Sequence, residues 1–517
     1  ASDLGSRCEA TLAHVRGTLA DEIEARFPKV LRSNGGYALD RLRHMDGRIN
    51  AETIICGSEG TLGIVVGAVL KLTPLPKCRG LVVAHFADLL EALTATPLIL
   101  EHKPAAVELL DRLLIDAARK NSALANRIGI VQDQPGGVLI VELFDDDTKT
   151  LDRRLRAVAD EMQSKGMGYA WPIITDSAGQ TAVWDVRKAG LGLLMSRPGD
   201  RQPYDFVDDT AVDPLRLRDH IARFMQVLKE EDAEECSYYA HASVGCLHVK
   251  PILNLRDRRD VQKMSRIADR ICSLAIEFKG TMTGEHGDGL VRSVWLEKMY
   301  GPRIVGAFHE IKAAFDPRNI LNPGKIVNPP AMTDNLRWQP VDDHAATPKA
   351  GATTLDFSVH GGMLGLADMC SGVGQCRQKL VGVMCPSYIA TLDEKHTTRA
   401  RANALRMALD RPGLLSGIDD PVLEEAMDLC ISCKACKAEC PTGVDMARLK
   451  AEWQYQVYRR RRAPLRSRLI ARSAELCNRA SHWPGMANRL ARSDVVRALL
   501  DRTLGVDRRV PVPRFAS

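Results

Sequence analysis

"CISCKACKAECP", residues 430–441, sets Cys430, Cys433, Cys436 and Cys440 at the spacing Cys-x2-Cys-x2-Cys-x3-Cys-Pro. This is the ligand run of bacterial ferredoxins: three thiolates on one tight loop hold three corners of an iron–sulfur cube, and the fourth serves a neighbouring cluster. A zinc knuckle is the alternative, but it has no need of the terminal Cys-Pro. An earlier run, "CSGVGQCRQKLVGVMCPSY" (370–388), aligns with it. Cys370 stands for Cys430, Val373 for Cys433, Cys376 for Cys436, and Cys385-Pro386 for Cys440-Pro441 after a longer insertion. With ligands crossed over, Cys430, Cys433, Cys436 and Cys385 complete a 4Fe–4S site, whereas Cys370, Cys376 and Cys440 form a set of three. The second set suits a 3Fe–4S cluster, a 4Fe–4S cluster with a non-cysteine ligand such as His396, or no cluster. If it is empty, Cys440 could replace Cys385 at the first.

Seven of the fourteen cysteines fall within residues 370–440 and the other seven are scattered singly. A chain without a secretory leader uses such cysteines for metal ligation rather than a disulfide framework. No apolar run reaches the ~18 residues of a membrane span, and the N-terminus lacks the charged-then-apolar order of a signal peptide. A cytoplasmic location is expected. Residues 446–517 hold 17 Lys and Arg against 5 Asp and Glu in a chain of net charge +6. That basic tail reads as a solvated helical linker, or as a surface for an acidic partner or for peripheral contact with a membrane. No nucleic-acid-reading motif accompanies the charge. The chain opens at Ala1 partway through a helical pattern, and a piece of a longer protein is expected.

Five regions follow along the chain. Residues 1–76 end in "TIICGSEGTLGIVVGAVLKLTPLP", where a glycine-rich turn leads into strand-like "GIVVGAVLKL". Residues 77–328 alternate β and α signals: "LVVAHF" and "GVLIVELF" read as strands and "PAAVELLDRLLIDAARK" as a helix. A long amphipathic helix covers about 256–279, with Val261, Met264, Ile267, Ile271, Leu274 and Phe278 on one stripe. Residues 329–356 are a Pro/Thr-rich linker, 357–445 the cysteine-rich unit with the helix "HTTRARANALRMAL", and 446–517 the basic tail.

"HASVGCLH" places His241 and His248 seven apart with Gly245 able to bend the chain between them, and "TGEHGDG" adds Glu285 and His286. Two histidines and one carboxylate form a catalytic-metal set that leaves positions open for substrate. An imidazole with the ordinary pKa of ~6.5 accepts a proton at neutral pH. Arg187 in "VWDVRKAG" offers a fork-shaped cation of the kind a carboxylate needs.

"NGGYALDRL" (34–42), "GSEGTLG" (57–63) and "FDPRNILNPGKIV" (315–327) join these motifs in one order. Over residues 25–450 the chain resembles the vanillyl-alcohol-oxidase superfamily of FAD-linked dehydrogenases. Within it, the chain is similar to the D-2-hydroxyglutarate/D-lactate dehydrogenase branch with a fused iron–sulfur domain. The fold implied is α+β: the C-terminal part of a VAO/PCMH-type FAD-binding domain, an α+β FAD-linked oxidase C-terminal (cap) domain, then an α-helical two-cluster ferredoxin-like domain. By the same resemblance Asn34, Tyr37, Gly57, Ser58, Glu59, Gly60 and Ile64 line FAD, and Asn322 and Lys325 close over it. His241, His248 and Glu285 hold a divalent metal, zinc or similar; His286 is the general base, and Arg187 binds the substrate carboxylate. The resemblance also implies that the half of the FAD domain carrying the main pyrophosphate loop is expected to lie outside this sequence. "HASVGCLH" departs from the common "HxGDGNLH", with Val244 for the aspartate and Cys246 for an asparagine thought to touch substrate.

The activity implied is oxidation of a D-2-hydroxy acid, D-2-hydroxyglutarate first, with hydride passing to flavin N5 and electrons relayed through iron–sulfur. The acceptor is external, a quinone or cytochrome, reached directly or through a cysteine-rich domain of the heterodisulfide-reductase type that related long proteins carry. D-lactate and glycolate are the alternative substrates. A non-catalytic electron-transfer fragment that needs a partner for FAD is the alternative of another class. A homo-oligomer is compatible with all of these.

Overall fold

Aspartates mark where many of the helices begin. Asp88, Asp111, Asp147, Asp176 and Asp257 each accept a hydrogen bond from a first-turn backbone N–H. These N-caps satisfy donors that no helix can satisfy internally. The computed structural model describes residues 3–42, 48–121, 124–342, 353–410, 417–511 and 514–516. Contacts divide the chain into two units. The first takes 1–349, 358–365 and 441–443, and the second 350–357, 366–440 and 444–517. Part of the expected 329–356 linker, 343–352, lies outside the described residues.

The first unit is built on a seven-stranded sheet in the order β4-β1-β3-β2-β6-β7-β5. Its strands are β1 (Cys78–Phe86), β2 (Ala106–Asp111), β3 (Gly137–Asp145), β4 (Ile173–Ile174), β5 (Gln202–Pro203), β6 (Cys236–His241) and β7 (Cys246–Leu253). Every pairing is antiparallel. Side chains alternate across the sheet. Val82, Ala84, Val107, Leu109, Leu139 and Val141 enter one core, while Leu81, Val83, Leu110, Val138 and Ile140 enter another on the opposite face. Helices cover both faces, so the central strands bury apolar residues on both sides rather than on one alone. The amphipathic helix is present as Arg258–Glu277, and all six residues of its expected stripe are buried.

Two expectations are corrected. "PAAVELLDRLLIDAARK" is not one helix: Ala106–Asp111 is strand β2, and the helix is confined to Arg112–Lys120. Asp111 makes the break, because its carboxylate caps Leu114 N–H and also accepts from Tyr238 N–H of β6. "GIVVGAVLKL" has strand composition but forms no strand. Ile64, Val66, Val69, Leu70 and Leu72 are strongly exposed. A strand exists only with a neighbour to complete its ladder, and the described residues pair none with this stretch.

The described part of the second unit is helical, with no strand. Its cysteine-bearing portion packs the helices Pro386–Thr391, Thr398–Asp410, Pro421–Asp428, Ala435–Glu439 and Met446–Arg460. Glu452, fully buried on the last of these, accepts from Thr354 and Leu355 N–H, and Trp453 donates to Ile418 O at 2.7 Å. The basic tail continues as Leu465–Ala471, Ser473–Ser481, Pro484–Arg492 and Asp494–Leu504, none of which has a buried residue. No helix among the described residues is long and apolar enough to cross a membrane.

Candidate active site and cluster site

The histidine pair is positioned by the β6–β7 hairpin. His241 closes β6 opposite Cys246, and His248 lies on β7 opposite Tyr239. The turn between them depends on Gly245, at φ +68°, where a Cβ would come within 1.9 Å of the Val212 carbonyl. Only glycine fits both constraints. The two imidazoles are perpendicular with centroids 5.1 Å apart. His241 Nε2 lies 3.3 Å and His248 Nε2 3.4 Å from the same oxygen of Glu285.

The other ring nitrogens are committed. His241 Nδ1 bonds the Glu108 carboxylate at 2.7 Å and His248 Nδ1 the Asp208 carbonyl at 3.0 Å. Both partners accept only, so each Nδ1 carries the proton and each Nε2 faces Glu285. That tautomer is the one a metal-ligating histidine needs, with its outer nitrogen donating to a carboxylate or carbonyl. The three ligand atoms lie within 4.8 Å of one another, so the residues present fit a divalent ion. With the rings protonated, Glu285 is held down to about 2, first by the hydrogen bond from His248, against partial burial, and then by the charges of the three imidazoles. It is a carboxylate across the whole neutral range.

His286 stacks on His248 at 4.9 Å. Its Nδ1 lies 3.7 Å from both Asp208 and Asp209. Asp209 is fully buried and its carboxylate accepts from the backbone N–H of Glu285 and His286, which fixes that turn. Arg187, from the helix Ser177–Met195, lines the same pocket as His241, His248, Glu285 and His286. Its Nε and one terminal nitrogen are both turned onto Glu108 Oε2, at 2.9 and 2.8 Å. Cys246 is buried with Sγ toward Asp209 and is not part of the pocket lining. Glu108, Asp208, Lys188 and Lys250 also line it, and none was expected from the sequence. Lys250 is buried on β7 and donates to both Asp205 and Asp208. The "VDDT" pair of acids at 207–210 was a usable signal; Glu108 was hidden by reading its strand as a helix.

Several of the residues expected at FAD gather around the 57–60 turn. Glu59, at φ +55°, accepts from the backbone N–H of Asp288 and Gly289, and Asn322 Nδ2 donates to the Glu59 carbonyl at 2.6 Å. Gly57 packs against Asn34, whose own amide donates to the Glu285 carbonyl. Gly60, at φ +71°, has open space on its Cβ side, as a loop approached closely by a ligand requires. Tyr37 and Ser58 are buried, Tyr37 bonding Thr61 at 2.8 Å, while Ile64 is exposed and Lys325 half-buried.

In the second unit Cys385, Cys430, Cys433 and Cys436 line one cavity. Ser432 and Lys434 adopt left-handed backbone, φ +54° and +64°, so Cys433 sits at the apex of a coiled turn with Cys430 and Cys436 on either side. The earlier run repeats this: Gly372 and Gly374, at φ +83° and +80°, flank Val373 just as those residues flank Cys433. Cys370 and Cys376 are buried and, like Cys440, are not among the residues lining that cavity. His396 is also buried, its Nδ1 on Thr391 Oγ1 at 2.8 Å. No cysteine forms a disulfide.

Two family profiles match the chain. FAD linked oxidases, C-terminal domain, covers residues 75–326, and the 4Fe-4S dicluster domain covers 366–444. A D-2-hydroxyglutarate dehydrogenase of Pseudomonas putida is 29% identical over 97% of this chain and 53% of its own length. That of Escherichia coli is 29% identical over 93% and 51%. A glycolate oxidase subunit of Bacillus subtilis is 28% identical over 58% and 59%. The chain thus spans about half the length of the dehydrogenases it matches. Residues 75–326 are an FAD-linked oxidase C-terminal domain, and residues 366–444 are a 4Fe-4S dicluster domain.

Proposed function

We propose that the chain is the substrate-binding and iron–sulfur part of an FAD-dependent dehydrogenase that oxidises a D-2-hydroxy acid to the 2-oxo acid, with D-2-hydroxyglutarate as substrate. The observation that carries this reading is the convergence of His241, His248, Glu285 and His286 on one pocket that also holds Arg187, Lys188 and Lys250. The names of the Pseudomonas putida and Escherichia coli relatives support the same substrate.

When bound, a divalent ion such as zinc lowers the pKa of the substrate hydroxyl, FAD accepts the α-hydrogen as hydride, and the iron–sulfur domain carries single electrons to an external quinone or cytochrome. His241, His248 and Glu285 are the ligands of that ion. His286, on the pocket wall, takes the hydroxyl proton, and the carboxylates of Asp208 and Asp209 near its Nδ1 stabilise the imidazolium so formed. The loop around Glu59 and Gly60, with Asn34 and Asn322 beside it, is together with Lys325 the chain's contribution to the flavin site. Arg187 is shared with Glu108 and meets a substrate carboxylate as the outer half of that pair. Lys188 is exposed and forms no ion pair among the described residues. A second cation at the pocket favours a substrate with a second carboxylate.

The test is a substrate panel with a dye acceptor, using the chain supplied with FAD and zinc and loaded with iron and sulfide. D-2-hydroxyglutarate should give the highest kcat/KM, and K188A should raise its KM about tenfold or more while leaving that for D-lactate unchanged, since a charged hydrogen bond contributes about 1.5–3 kcal/mol. Higher kcat/KM for D-lactate or glycolate would move the substrate assignment to the monoacids. A brown, flavin-free protein inert with every D-2-hydroxy acid would leave the electron-transfer reading standing.

A further inference from the structure

Arg401 is 1% exposed on the helix Thr398–Asp410. Its guanidinium donates to the Ala426 carbonyl at 2.6 Å, to Cys385 Sγ at 3.3 Å and to Ser387 Oγ at 2.9 Å. Each of these partners is neutral, except for the sulfur if it is a thiolate. Lys450, also buried, donates to the carbonyls of Met427, Asp428 and Cys430, at 2.7, 3.3 and 2.6 Å. Among the described residues, neither cation has an ion-pair partner. A buried charge without a counter-charge is strongly unfavourable. Two such cations flank one cavity lined by four cysteines, one contacting a cysteine sulfur and the other a cysteine carbonyl. The cavity is therefore electrostatically made for an anion, and a 4Fe–4S cluster with four thiolates carries two negative charges when oxidised.

We propose that Arg401 is a positioning residue that raises the reduction potential of the cluster held by Cys385, Cys430, Cys433 and Cys436, through its N–H···S bond to Cys385 and its buried positive charge. This rests on the reading of those four cysteines as the ligands of one cluster. Reduction adds one electron and no proton, so the cluster and its thiolates go from two negative charges to three. A fixed cation in a low-dielectric site stabilises the more negative state, and hydrogen bonds to the ligand sulfurs act in the same direction by delocalising its charge. Lys450 adds to the field from the Cys430 side. The result is a cluster that accepts electrons readily, as a relay standing after a flavin must.

The experiment is an EPR-monitored redox titration of the loaded full chain with dithionite as reductant, alongside iron and sulfide analysis. C385S identifies which signal belongs to this site. R401Q should load the same iron and lower the potential of that signal by at least tenfold in the reduction equilibrium, about 59 mV for a one-electron couple. R401K, which keeps the charge but cannot reach all three acceptors, should fall between the two. An unchanged potential in a fully loaded R401Q would overturn the proposal while leaving the ligand assignment intact. If instead C385S alters neither iron content nor any signal, the ligand assignment itself fails. Should R401Q not load, the wild-type chain labelled with 15N-guanidino arginine decides. A 15N coupling to the reduced cluster in pulsed EPR is expected, and its absence refutes the N–H···S bond.

Discussion

Glu108 holds two residues with one carboxylate: Arg187 takes one oxygen and His241 Nδ1 the other. It touches no ligand position itself, yet it fixes the His241 tautomer and draws Arg187 to the edge of the pocket. Outer carboxylates of this kind typically contribute 10–100-fold to metal affinity. E108Q keeps the shape and an acceptor oxygen but removes the charge. It should therefore weaken zinc binding by about 10–100-fold in a chelator competition, with little change in Tm. The same variant releases Arg187 from its ion pair, so KM for a 2-hydroxy acid should fall or hold steady while metal is kept saturating. Unaltered zinc affinity would show that the Glu108–His241 bond does not set the ligand's orientation. The sequence singled out His241, His248 and Glu285, whose ligand atoms lie within 4.8 Å of one another, because a metal-binding set restricts the residue types. It hid Glu108 because a lone glutamate in an apolar run carries no pattern of its own.

At the scale of elements, legibility followed how local the cause was. The helix Arg258–Glu277 announced itself by a stripe and an aspartate cap, both local. β2 was missed because its apolar run merges into the next helix, and what separates them is Asp111 bonding to β6, a residue far along the chain. Residues 63–72 have strand propensity without a strand, because pairing is not a local property. The helix Leu217–Glu230 holds a cause that no pattern shows. His220 is fully buried on it, edge-on to Phe278 and Phe224, and neither ring nitrogen has a hydrogen-bond partner. Burial, helped by Arg216, lowers its pKa to about 3. The neutral form is native and the unfolded chain titrates at the ordinary ~6.5. Stability from this residue is thus complete above ~6.5 and is lost as pH falls toward 3, by up to about 1.4 kcal/mol per pH unit. H220F should flatten that decline. Amide exchange in Leu217–Glu230 should accelerate in the wild type between pH 7 and 5, after correction for the intrinsic rate, and much less in the variant. Parallel corrected profiles would mean that His220 takes up its proton without opening the helix.

Across the whole molecule, the total of bound iron depends on one position. Val373 is 63% exposed at the apex of its turn, between two left-handed glycines, with Cys370 and Cys376 buried on either side. The second run is thus built on the same backbone as the first, where left-handed Ser432 and Lys434 carry Cys433. What it lacks is a sulfur, not a shape. Residues 366–444 match a dicluster domain, and with this repeated turn we propose that the second set, Cys370, Cys376 and Cys440, holds a cluster on three thiolates. A three-thiolate set suits 3Fe–4S, so the loaded chain should hold about seven irons and show an oxidised 3Fe–4S EPR signal. V373C puts a thiol on a backbone already curved for one. It should raise the total to about eight irons and remove that signal, without moving the potential assigned to the Cys385 site. A wild type holding about eight irons would mean that another side chain, with His396 the first candidate, completes the second cube. About four irons in both proteins would mean that the repeated turn is a relic of shape without a cluster, and that the chain's electrons pass through the Cys385 site alone.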